Sequence, residues 1–135
     1  MREELRRLAG PDRPVQEVML DKGLAALGDA LVNLAYSLAL SLESGRPTGR
    51  KLDNKLLSGA LRASGLRALA PRRMDRHELA NAVEALIAYG WLKGLLGLWD
   101  IVRALMAPDV VEGLSGLLKD LSGRLPLTRA SSSAS

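Results

Sequence analysis

The sequence has no cysteine and no phenylalanine, and its only histidine is His77. Without cysteine there can be no disulfide, thiolate metal site or cysteine nucleophile, which fits a reducing compartment. Aromatic residues make up 3% of the chain against 47% hydrophobic residues, so packing falls to Leu, Ala, Val and Ile. That composition favours helices over sheets and is too apolar for a disordered chain. No segment alternates with the period of a strand and no internal repeat is evident. There is no phosphate-cradling P-loop, which disfavours one large class of nucleotide hydrolases. No serine stands in a recognisable nucleophilic arrangement with His77, so this residue reads as a hydrogen-bonding or phosphate-contacting group rather than a general base. The opening MREELRRLAG is charged throughout and lacks the apolar segment of a signal peptide. A cytoplasmic protein is expected.

What is present points first to a polyanion. The net charge is +4, yet residues 46–76 hold nine Lys and Arg against Asp53 and Asp75, a local charge of +7 that leaves −3 elsewhere. Binding phosphates relieves the self-repulsion of such a block. The other reading is a solvated basic face without a partner.

With 135 residues, the chain suits one domain with a sizeable core. Gly10, Pro11 and Pro14 break a short opening helix, and the expected division is an N-terminal appendage (1–14), a helical domain (15–125) and a flexible tail (126–135). The run DKGLAALGDALVNLAYSLALSL begins at a capping residue, Asp21, and continues to Ser44 and Gly45. It predicts a helix of about 22 residues, roughly 33 Å long. The run approaches spanning length, but Asp29, Asn33, Ser37 and Ser41 suit a soluble helix, and no membrane span is expected. A second helix is predicted over residues 54–63 behind Asp53. A third runs from about Asp75 to Leu96, with Gly90 and Gly94 admitting a close neighbour. Two more follow over residues 99–106 and 109–121, and Trp91 and Trp99 are read as core.

Asp29 is a lone carboxylate in an apolar helix, and such a group needs a proton, a cation or a partner. Glu84 is the acid at comparable depth in the third helix. His77, Asn81, Glu84 and Ala88 share one helical face, as do Lys22, Ala25, Asp29 and Asn33. If these faces meet, the two carboxylates hold a proton or a hard divalent cation between them. Alternatively, the helix dipole stabilises Asp29 and an arginine pairs with Glu84. The spacing leaves both arrangements open.

LAALGDALVNLAYSLAL, residues 24–40, resembles the signature helix of ribonuclease III, and NAVEALIAYGWL, residues 81–92, resembles that family's second acidic motif. The DNKLLSGALRASGL helix lies between them in the family's order, and the resemblance covers about residues 20–95. It extends to short archaeal ribonuclease III-like proteins and to bacterial Mini-III enzymes. The resemblance implies an all-α, ribonuclease III endonuclease-domain-like helical bundle and a homodimer with signature helices at its interface. It implies a metal-dependent endoribonuclease that hydrolyses phosphodiester bonds in double-stranded or structured RNA during RNA processing, with Mg²⁺ or Mn²⁺. Asp29 and Glu84 would then be the catalytic metal ligands, with Asn81 offering a carbonyl oxygen. Arg50, Lys51, Arg72, Arg73 and His77 would contact RNA, a role the basic block supports independently. Two positions depart from the pattern: Ala25 stands where full-length members carry a glutamate, and Asn81 where the family has an aspartate. They motivate an alternative, a catalytically weakened RNA-binding or ribosome-associated protein of the same fold. A third reading is a helical interaction module without nucleic acid.

Overall fold

In the computed structural model residues 2–126 are described, and the expected tail beyond Pro126 lies outside them. Among these residues are seven α-helices: α1 (Arg2–Ala9), α2 (Val15–Val18), α3 (Lys22–Ser44), α4 (Asn54–Ala63), α5 (Arg76–Leu92), α6 (Leu98–Leu105) and α7 (Val110–Ser122). A 3₁₀ turn, Leu66–Leu69, lies between α4 and α5, and no strand occurs among the described residues.

Aspartates set the starts of the four longest helices. Asp21 accepts from Leu24 N at 2.9 Å at the head of α3, and Asp53 accepts from Lys55 N at 2.8 Å at the head of α4. Asp75 and Glu78 form a reciprocal capping box at α5, and Asp109 accepts from Glu112 N at 3.2 Å at α7. Each carboxylate satisfies an amide that has no partner within its own helix.

The chain is built around α5. From Leu79 to Leu92 only Asn81 and Trp91 escape full burial, so this helix is apolar nearly all round and packed on several sides. α3 lies along it, α4 and α7 pack together beside it, and α6 joins α3 to α7. The face of α3 turned inward is Leu24, Ala25, Gly28, Leu31, Val32, Ala35 and Ala39, small enough for a close approach. By length and composition α3 could cross a membrane. In this fold one face of it is core, while Leu27, Leu34, Leu38 and Leu42 stand exposed on another.

The N-terminal segment is tied to the same centre. Arg13 lies over the Tyr89 ring and pairs with Asp21 at 3.0 Å, while Lys93 pairs with Asp12 at 2.6 Å. The Asp21 carboxyl is held below its ordinary range mainly by the Leu24 amide, with Arg13 adding to the effect.

The structure differs from the sequence reading at the end of α5. The helix stops at Leu92, short of Leu96, because Gly94 takes φ 79° and the Leu95 amide turns back to the Gly90 carbonyl at 2.8 Å. This is a glycine-terminated helix end in which the glycine occupies the left-handed region. The turn separates Trp91 from Trp99. Trp91 packs partly against the core, but Trp99 is 55% exposed beneath the Arg103 guanidinium. The expectation of Trp99 as core is therefore corrected.

Candidate active site

The site begins with a glycine. A Cβ on Gly28 would collide with the backbone carbonyl of Glu84, so α3 and α5 can cross at this closeness only with glycine there. The crossing puts the next residue, Asp29, beside the Glu84 side chain. The close approach expected at Gly90 is present as well, since a Cβ there would press on the side chains of Leu121 and Leu96, while Gly94 serves the helix end.

The two acids differ in environment. Glu84 is 4% exposed, whereas the Asp29 side chain is 48% exposed. The buried carboxylate is therefore Glu84, and Asp29 stands at the solvent side of the pair. Burial pushes the Glu84 carboxyl up to about 8, a hydrogen bond with Asp29 and repulsion by its charge push the same way, and Lys51 opposes them. Among the described residues no arginine pairs with Glu84; the charges that bear on it are those of Asp29 and Lys51. The arginine-paired arrangement left open by the sequence is absent. Asn33 Nδ2 donates to Asp29 Oδ1 at 3.1 Å, and Lys51 Nζ lies 4.0 Å from the same oxygen.

These groups open into a cleft of about 580 Å³. Asp29, Glu84, Asn81, His77 and Lys51 line it together, and Ala25 lies one turn before Asp29 on the same wall. His77 is exposed in the first turn of α5, with Asn54 Nδ2 at 3.4 Å from its Nδ1. Arg50, Arg72 and Arg73 are exposed on loops but do not line the cleft. The Arg67 guanidinium is occupied in closing the second of those loops through the carbonyls of Pro71 and Arg72.

Among the described residues no group of three His, Cys, Asp or Glu side chains converges. The oxygen donors that could hold a cation here are the two carboxylates and the Asn81 amide, which lines the same cleft. An acid raised first by burial and then by its acidic neighbour, with no basic partner in ion-pair contact, fits a small divalent cation that keeps several waters. A proton satisfies the same pair in the cation's absence. Sequence reasoning missed the role of Gly28, although its place directly before Asp29 was a signal. It also missed that Lys51 alone of the four expected Lys and Arg contacts reaches the cleft.

Fold and site together define an all-α domain in which two acids from crossing helices meet in one cleft. Residues 22–116 match the family model described as Ribonuclease III, a stretch that runs from α3 into α7 and contains both acids. The chain belongs to the ribonuclease III family. At the family level this makes it a ribonuclease-like protein of RNA processing, in a family that acts on RNA and is generally dependent on divalent metal. Comparison with curated proteins gave no match.

Proposed function

We propose that the protein is a cytoplasmic endoribonuclease that hydrolyses phosphodiester bonds in double-stranded or structured RNA, with Mg²⁺ or Mn²⁺ held by Asp29 and Glu84. The observation that carries this reading is the α3–α5 crossing at Gly28, which brings two acids together and leaves the buried one, Glu84, without a basic partner in ion-pair contact. Asn81 completes the donor set through its amide oxygen. Bound there, the cation supplies the Lewis acidity that phosphodiester hydrolysis needs. Glu84, the buried acid, and Asp29, the more exposed one, oriented by Asn33, would hold it. His77 and Lys51 stand at the mouth of the cleft, where they can bind phosphate or 2′-hydroxyl oxygens. Arg50, Arg72 and Arg73 extend the basic surface along which a duplex is gripped.

The exposed leucine stripe of α3 supports a homodimer. Leu27, Leu34, Leu38 and Leu42 recur on one side of the helix that also carries Asp29, and pairing two copies removes them from water. A dimer then presents two sites to one duplex.

Purified protein is expected to cleave duplex RNA only when Mg²⁺ or Mn²⁺ is added. Failure to cleave any duplex under metal titration would sink the reading. One observation favours a second reading, a weakened family member that binds RNA: with Ala25 and Asn81 in place, Asp29 and Glu84 are the two acids left to the site, since Asp21 and Glu78, which also line the cleft, are engaged in capping α3 and α5. It predicts salt-sensitive duplex binding without cleavage, and recovery of cleavage in Asn81→Asp. Metal-dependent cleavage by the wild type refutes it.

A further inference from the structure

From Asp29 onward, one face of α3 carries Asn33, Ser37 and Ser41, every fourth residue. Each of these three holds one residue of the segment that follows the helix. Ser41 Oγ donates to the Thr48 carbonyl at 3.1 Å and accepts from the Thr48 amide at 2.9 Å. Ser37 Oγ does the same with Arg50, at 3.1 Å and 2.9 Å. Asn33 Oδ1 accepts from the Leu52 amide at 2.8 Å, while its Nδ2 donates to Asp29. The helix runs 33, 37, 41 as the segment runs 52, 50, 48, so the segment lies antiparallel along α3. The register is physically sound: four helical residues rise about 6 Å, and two extended residues advance about 6.6 Å. Helix side chains thus replace the partner strand a sheet would supply.

This ladder fixes an exposed segment that has little core to hold it. Of its residues only Leu52 is buried. Lys51, between the bonded Arg50 and Leu52, is set with its ammonium 4.0 Å from Asp29 Oδ1 and its side chain 75% exposed. At that distance and exposure the pair contributes little stability. Lys51 is therefore placed at the site without being consumed by it. Two ionised carboxylates and one divalent cation sum to no net charge, which leaves little attraction for a phosphodiester anion. Of the two lysines that line the cleft, Lys22 and Lys51, it is Lys51 that lies against Asp29 and adds the missing positive charge there.

We infer that Lys51 is the phosphate-binding cation of this cleft, and that Ser37 and Ser41 are positioning residues that hold it there through the extended segment 48–52. The inference rests on the endoribonuclease reading and goes beyond it in separating one lysine and two serines of α3 from the general basic surface.

The test compares wild type, Lys51→Ala, Ser37→Ala/Ser41→Ala, the triple variant, and the conservative Lys51→Arg and Ser37→Thr/Ser41→Thr. Three readouts are taken on the full chain: affinity for a duplex RNA against salt without divalent metal, kcat and KM for cleavage with Mg²⁺, and amide hydrogen exchange at Thr48 and Arg50. Lys51→Ala is expected to weaken duplex binding by about tenfold or more, as for loss of a charge-assisted hydrogen bond. It should also lower the salt slope by somewhat less than one. Ser37→Ala/Ser41→Ala should speed exchange at both amides, leave the global melt near that of wild type, and reproduce much of the lysine defect. The triple variant should then be little worse than Lys51→Ala, because the serines act through the lysine. The conservative variants should retain most of the function. Wild-type behaviour in Lys51→Ala overturns the inference. So do freed amides with unchanged RNA binding, kcat and KM, or fully additive defects. Failure of the wild type itself to bind or cleave duplex RNA is a different result, since it removes the endoribonuclease reading and this inference with it.

Discussion

Replacing Glu84 with glutamine is expected to stabilise the metal-free protein, and to do so more as the pH rises. The Glu84 carboxyl is pushed up to about 8 in the fold, from an ordinary 4.5, first by burial and then by Asp29. Between those values the folded protein retains a proton that the unfolded chain has released. Stability therefore falls as pH rises through that window, by about 1.4 kcal/mol for each pH unit, and levels off above it. Across the whole window the loss is on the order of 5 kcal/mol, a large share of the stability of a domain this size. Glutamine has the shape of the neutral acid and cannot ionise, so Glu84→Gln lacks this slope. Urea unfolding in a chelator, at several values from about pH 5 to about pH 9, measures the difference, with other titrating groups cancelling between the two proteins. The gap should be small at the acid end and widen by several kcal/mol toward the alkaline end. Added Mg²⁺ should close it by stabilising the wild type alone, because a cation held by Asp29 and Glu84 would take the place of the proton. A gap that stays constant with pH would refute the view that Glu84 is a buried acid facing a second carboxylate.

Further expectations follow from the packing. Gly28→Ala, which drives a methyl group into the Glu84 carbonyl, should cost about 1–3 kcal/mol or more and reduce cleavage although both acids remain; thermal unfolding and a cleavage assay check the two parts. Asp21→Ala removes the cap of α3 and should cost about 1 kcal/mol in urea unfolding, a loss that vanishes in strong acid because the depressed carboxyl is protonated there in both states. Leu34→Glu/Leu38→Glu should shift the sedimentation of the protein to that of a monomer while leaving its helical circular dichroism intact. An unchanged dimer would remove the leucine stripe of α3 as the interface.

The features legible in the sequence were those written in local chemistry. Asp21 and Asp53 announce α3 and α4 because a carboxylate before a helix satisfies amides within three residues of itself. Asp29 and Glu84 were legible as a pair because each sits on an apolar helix with its stripe of neighbours, and the crossing at Gly28 brings those stripes together. Which acid is buried was not legible, since the burial of Glu84 comes from α5 being surrounded by other helices. Trp99 was misread because an aromatic on an amphipathic helix reads as core, whereas the face of α6 that turns inward carries Ile101, Val102 and Leu105. The serine ladder was half legible. The spacing of Asn33, Ser37 and Ser41 stands in the sequence, but that an extended segment returns alongside them is a tertiary fact.

The proposed activity requires Asp29 and Glu84 to act together on RNA. The most direct measurement is cleavage of a duplex RNA across a range of Mg²⁺ concentrations by wild type, Asp29→Asn and Glu84→Gln, all first matched for helical content. The account predicts metal-dependent cleavage by the wild type and none by either variant at any Mg²⁺ concentration. Cleavage without metal, or cleavage that survives in Asp29→Asn, would contradict it.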